Sequence, residues 1–235
     1  MVFSSEHQLE IPGEFPSSEN ASFMLAARNI LINPEVAEIW KDFAGACNIV
    51  GWRFRTCHEE MRKFIESWRQ HGSAISFEEI YLRERALFIM FCSGVSCLES
   101  MCFAINALAS YSKLLNFPFS EKEQRACTPA QLQKTLDKHP NAAILSKELK
   151  NIIDSDEWKI WTSLRNRMTH RSSLPPVGHG ASSGHPITTR ALDFAETAST
   201  RKIEEDIEFL EKLFSWLSQA IKNLLVAGTS FATQP

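Results

Sequence analysis

The six cysteines, at positions 47, 57, 92, 97, 102 and 127, form no C-x-x-C pair and no metal-ligand spacing. That speaks against a zinc site or a redox dithiol and leaves no metal or other cofactor to expect. H-E-x-x-H, G-x-S-x-G and a Gly-Lys-Ser/Thr phosphate loop are missing as well. Their absence removes the usual signatures of zinc proteases, serine hydrolases and P-loop nucleotidases. No run alternates β-branched and polar residues, no Asn-Gly turn joins two such runs, and no internal repeat occurs, so no strand is predicted. An excess of positive charge is lacking too. Lys and Arg number 25 against 28 Asp and Glu, a formal net charge of −3. A protein that coats nucleic acid non-specifically is thereby excluded, although a local basic patch is not. The first residues show no basic-then-apolar leader, so secretion is not expected. The cysteines are then expected to be reduced and buried, in a cytoplasmic protein.

What is present is helical periodicity. Hydrophobic residues make up 44% and charged residues 23%, the balance of a chain with a packed core. Residues 1–19, with Pro12, Gly13 and Pro16, predict a loose arm. A first helix is expected over 22–31, and Asn33-Pro34 opens a second to about Val50. Thr56-x-x-Glu59 is a capping box for a helix that runs to His71 and stops at Gly72. Ser76-x-x-Glu79 is another, for a long central helix from Phe77 to about Leu115. Within it, Ala86 to Ala109 is long and apolar enough to suggest a membrane span. Glu99, Ser93, Ser96, Ser100 and Asn106 make a buried core helix the better reading, with no membrane partner. Thr128-Pro129 with Gln131 opens a short helix ended by Pro140, and another follows from Ala142 to Ile153. Residues 172–188, rich in Pro, Gly and Ser and carrying His179 and His185, read as a loop. Ile203, Ile207, Leu210, Phe214, Leu217, Ile221 and Leu224 then mark a long amphipathic helix. The expectation is an all-α bundle. It comprises the arm at 1–19, N-terminal helices at 20–72, and a main bundle at 73–228.

The most informative stretch is Trp158 to Arg171, Trp-Lys-Ile-Trp-Thr-Ser-Leu-Arg-Asn-Arg-Met-Thr-His-Arg. At about 100° per residue, Trp161, Leu164 and Met168 share an apolar face and Arg165 lies on its rim. Asn166 and His170 fall on the far side. A straight helix therefore cannot aim Arg165 and His170 of one chain at one point. Either the helix is irregular, or a second chain supplies the missing partner.

Arg165-Asn166-x-x-x-His170 resembles the R-x4-6-H motif of the HEPN superfamily, in the form with a polar residue after the Arg. The resemblance implies an all-α bundle, HEPN-like from about Phe77 onward, with two motifs facing each other across a homodimer. It also implies a metal-independent endoribonuclease, in many members a toxin or defence effector held by an antitoxin or regulatory partner. The chemistry suits the residues. The RNA 2′-hydroxyl is a built-in nucleophile, His170 can move protons near neutral pH, and Arg165 can hold two phosphate oxygens. Asn166, one turn before His170, would orient the imidazole or touch phosphate, and Arg167 and Arg171 would bind the substrate backbone. The subgroup paired with nucleotidyltransferase antitoxins carries Tyr two residues after the His. Here Ser172 stands there, which puts that pairing in doubt. The other reading is a non-catalytic helical dimer that binds nucleotide, RNA or a protein partner.

Glu99 needs company, because a carboxylate in an apolar helix is costly to bury alone. Arg165 is one candidate partner, and emergence at the surface or capping of a neighbouring helix is the alternative. Arg53, Arg55, Arg62 and Lys63 form a basic cluster whose simplest reading is a solvated face.

Overall fold

Of the three capping signals among the described residues, two work as the spacing predicts. The Ser76 hydroxyl accepts from the Glu79 amide at 3.2 Å and starts α3, Phe77–Ala109. Thr128 does the same for Gln131, also at 3.2 Å, ahead of α5, Pro129–Leu136. The third signal is overridden. Thr56 sits inside one continuous helix, α2, Ala37–His71, and its hydroxyl donates back to the Trp52 carbonyl at 3.0 Å. Buried Phe54, Cys57, Met61 and Phe64 carry the same apolar face through position 56, so packing keeps the helix unbroken. Gly72 ends it with φ of 57°, its amide donating to the Trp68 carbonyl at 2.9 Å.

The computed structural model describes residues 1–5, 7–32, 36–72, 76–170 and 203–233, with the backbone alone at 170 and 203–206. The remaining elements are β1 Val2–Ser4, β2 Leu9–Ile11, α1 Ser17–Leu31, α4 Glu121–Arg125, a 3-10 turn at Pro140–Ala142, α6 Ala143–Asp154, α7 Asp156–His170 and α8 Ile203–Ala232. The all-α expectation holds for the body of the fold. The Asn33-Pro34 cap and the 172–188 loop lie outside the described residues.

The loose arm is corrected. β1 and β2 pair antiparallel, Val2 opposite Ile11, and the hairpin lies along α2. Ile11 and Phe15 are buried, and the Phe15 ring meets Phe54 at 5.3 Å. The Arg55 guanidinium donates to the Glu10 carbonyl at 2.9 Å. Three-residue strands are too short to show alternation, and the turn uses Gln8 at φ of 55° where a glycine would have given a signal.

α3 is the axis. It is long and apolar enough to cross a membrane by length and composition, yet most of its apolar window packs inside the fold. α2 lies along it more extensively than any other element, and α5, α7 and α8 also pack on it. One hydrophobic cluster runs from Ile11 to Ala232, so the helices of 20–72 share their core with those that follow. α3 stops at Ala109, short of Leu115. The Ser110 hydroxyl takes the Ala107 carbonyl at 2.6 Å, and Asn116 at φ of 52° turns the chain back.

Candidate functional site

α7 is held at both its start and its middle. The Ser155 hydroxyl accepts from the Trp158 amide at 3.1 Å, and Asp156 and Glu157 sit in the first turn, where the helix dipole favours negative charge. Trp161 and Leu164 are buried, each contributing roughly 1.5–3 kcal/mol through the area it removes from water. The Trp161 ring rests on the α3 backbone at Gly94, where a Cβ would stand 2.4 Å from its Cζ3. Phe91 meets the same ring edge-on at 5.1 Å. Only a residue without a side chain lets the two helices come this close.

That contact sets Arg165 beside Glu99. Arg165 Nη2 lies 3.6 Å from Glu99 Oε1, with the two side chains 31% and 39% exposed. Both expectations for Glu99 are met at once: it emerges at the surface and pairs with Arg165. The pair is loose and partly wet, so its contribution to stability stays below about 1 kcal/mol. Its effect is orientation. The Arg165 Nε is buried and has no hydrogen-bond partner among the described residues, while the rest of the guanidinium faces outward. Cys92 lies close enough to feel the charge. Burial pushes its thiol above the usual value and Arg165 offsets part of that rise.

The other motif residues divide. Asn166 is exposed and Arg167 half-buried, and no ion pair among the described residues engages Arg167. His170 is the last residue of α7, with its side chain outside the described residues, as is the whole of Arg171. The backbone is α-helical from Asp156 to His170, so the irregular-helix alternative falls. Five regular residues separate Arg165 from His170 by about 140° around the axis. One chain does not bring the two positions to a common face.

The basic cluster on α2 is a solvated face, as expected. Arg55 pairs with Glu59 at 2.6 Å, Arg62 with Glu66 at 3.5 Å and Lys63 with Glu60 at 2.5 Å. All six cysteines are free. Among the described residues, no three His, Cys, Asp or Glu side chains gather as metal ligands would.

One feature beside the motif escaped the sequence reading. Phe77, Tyr81 and Phe88 on α3 are 69%, 56% and 40% exposed. With Cys92 and Glu99 they fall within about 60° of one another around the helix. An apolar stripe thus leads along α3 to the Arg165–Glu99 pair. The signal was available: a helical wheel drawn from Phe77 puts all five on one face, which the abundance of buried Phe elsewhere concealed.

No family model, curated protein or solved structure matches this chain. The HEPN resemblance therefore rests on the motif and its setting in the bundle.

Proposed function

We propose that this chain is a HEPN-like, metal-independent endoribonuclease that works as a cytoplasmic homodimer, with Arg165 and His170 of two copies forming a composite site. The observation that carries the reading is the Arg165–Glu99 pair at the end of a regular helix. It holds a part-exposed cation ready for a phosphate while leaving His170 on another face. A twofold axis beside α7 would bring one copy's cation to the other copy's imidazole. The exposed stripe of Phe77, Tyr81 and Phe88 supports the same axis, because it leaves apolar surface next to the pair for a second copy to cover.

In this scheme His170 takes the proton of the 2′-hydroxyl, whose oxygen attacks the adjacent phosphorus. The 5′-oxygen leaves with a returned proton, giving a 2′,3′-cyclic phosphate and a free 5′-hydroxyl. Arg165 stabilises the added negative charge on the phosphoryl oxygens, and Asn166 orients the imidazole or the phosphate. Arg167 and Arg171 hold the flanking backbone. By analogy with toxins and defence effectors, an antitoxin or regulatory partner restrains the activity.

A second reading is a non-catalytic dimer that binds nucleotide, RNA or protein. Glu99 beside Arg165, the one motif cation held in an ion pair among the described residues, and the net charge of −3 favour it. Incubation of the full chain with mixed RNA, with and without chelator, separates the two. The nuclease reading expects chelator-resistant cleavage with cyclic-phosphate ends, reduced at least about 100-fold in Arg165→Ala and in His170→Ala. RNA left intact at high protein concentration, or cleavage unchanged in both variants, sinks it.

A further inference from the structure

A cavity of about 160 Å³ opens at the far end of α3, lined by Asn106, Phe117, Pro118, Glu123, Cys127, Leu132 and their neighbours. Asn106 is only 8% exposed, and no described residue hydrogen-bonds to its carboxamide. Neither carboxamide atom is among the fully buried, unpartnered ones, so the group reaches solvent through the cavity and stays available to something that enters.

The lining limits what that is. Phe117 and Leu132 are buried and apolar. The Cys127 thiol is pushed up to about 11 by burial, so it is a neutral wall and no nucleophile at ordinary pH. The Thr135 hydroxyl is already committed to the Gln131 carbonyl at 2.9 Å. Among the described residues Glu123 is the one charged residue lining the cavity, its carboxylate accepting from the Ser120 hydroxyl, and no described cation lines it. An anionic group would be repelled. A cavity of roughly 150 Å³ takes one benzene-sized ring and no more. The carboxamide offers a donor and an acceptor side by side in one plane, which matches an edge carrying an acceptor beside a donor.

We propose that this cavity binds a pyrimidine base, with Asn106 hydrogen-bonding its edge and Phe117, Pro118 and Leu132 enclosing its ring. Any attached sugar and phosphate project from the mouth, away from Glu123. Asn106 follows Glu99 by seven residues, about 10 Å along the same face of α3. The binding claim stands on the cavity alone and holds whether or not the chain cuts RNA.

Calorimetric titration of the full chain with uridine and cytidine, alongside adenosine and ribose, tests it. The pyrimidine nucleosides should bind with Kd of about 1 mM or tighter, and adenosine and ribose at least tenfold more weakly. Asn106→Leu should weaken pyrimidine binding at least about tenfold with little change in Tm, because among the described residues no hydrogen bond within the fold is lost. Ala126→Trp, a change at an exposed rim position, should block entry and leave the fold intact. Pyrimidines binding no better than ribose, adenosine binding equally well, or wild-type affinity in either variant would overturn the proposal. So would a lower Tm in Asn106→Leu, which would show that the amide is bonded within the fold.

Discussion

Gly94 is the residue on which the position of the motif turns. A methyl there would meet the Trp161 ring at 2.4 Å, with the backbone of a packed helix on one side and a buried indole on the other. Gly94→Ala should cost about 1–3 kcal/mol, read as a fall in denaturation midpoint. Adding Trp161→Phe shortens the ring, and the double variant should be more stable than the sum of the single effects. Strict additivity would mean that the two residues do not press on each other. His58 carries a different liability. Burial holds its pKa below the ordinary 6.5, outweighing the pull of Glu14 and Glu59, while Arg62 lowers it further. Its ring lies 5.3 Å from Phe214 and its Nδ1 is buried without a hydrogen-bond partner among the described residues. The unfolded chain binds this proton more readily than the native one. The neutral ring's contribution is therefore complete above 6.5 and is lost as pH falls from there through the depressed native value. Thermal melts from pH 7.5 to 5 should show that loss, and His58→Phe should flatten part of it. An identical slope in the variant would assign the effect to other groups. Arg165 and Glu99 were legible as partners because each had a specific reason to need one: a rim cation and a carboxylate in an apolar run. Gly94 was not, since a glycine inside a helix shows its purpose only when the neighbouring ring is in place.

Helix starts were easier to read than helix continuity. Ser76 and Thr128 are extended N-cap residues ahead of apolar runs, so their side chains have free amides to bond. Thr56 has the same spacing but follows a helical turn whose carbonyls are within reach, and its hydroxyl goes back to Trp52. Ser76→Ala should therefore cost about 1 kcal/mol, whereas Thr56→Ala should stay within about 0.5 kcal/mol. Equal costs in chemical denaturation would contradict the continuous α2. The hairpin at 2–11 illustrates the opposite failure. Its stability comes from Ile11, the neighbouring Phe15 against Phe54 and the Arg55 bond to Glu10, contacts with α2 that lie about 40 to 45 residues away in sequence. Short pattern windows cannot see them.

For the whole molecule, the open question of how two distant motif positions cooperate becomes a question of assembly. Tyr81 and Phe88 are large, exposed and aligned with Glu99, while the opposite side of α3 fills the core. Tyr81→Glu combined with Phe88→Glu should weaken the homodimer at least about 100-fold and shift light-scattering mass towards one chain, with little change in Tm. A wild-type chain that is monomeric at about 100 μM, below which a specific dimer would already be weak, would remove the basis for a shared site. The all-α class was readable because nearly every segment repeats its apolar residues at three and four. The single core was not, because the stop at Gly72 and the new capping signal at Ser76 look like a boundary, and only the packing of α2 along α3 shows that it is none.

α8 fastens onto the other end of the chain. Lys222 reaches Glu19 at 3.2 Å, the Ser218 hydroxyl bonds the Glu14 carbonyl, and Gly228 lies against the Phe23 ring, where a Cβ would be 2.7 Å from Cε2. During translation, α1 leaves the ribosome long before the helix that covers it. Phe23 can meet the Phe43 ring of α2 early, at 5.1 Å, but the side of α1 that Gly228 and Lys222 cover stays open through the synthesis of some 170 residues, a window in which a chaperone or a protease can meet it.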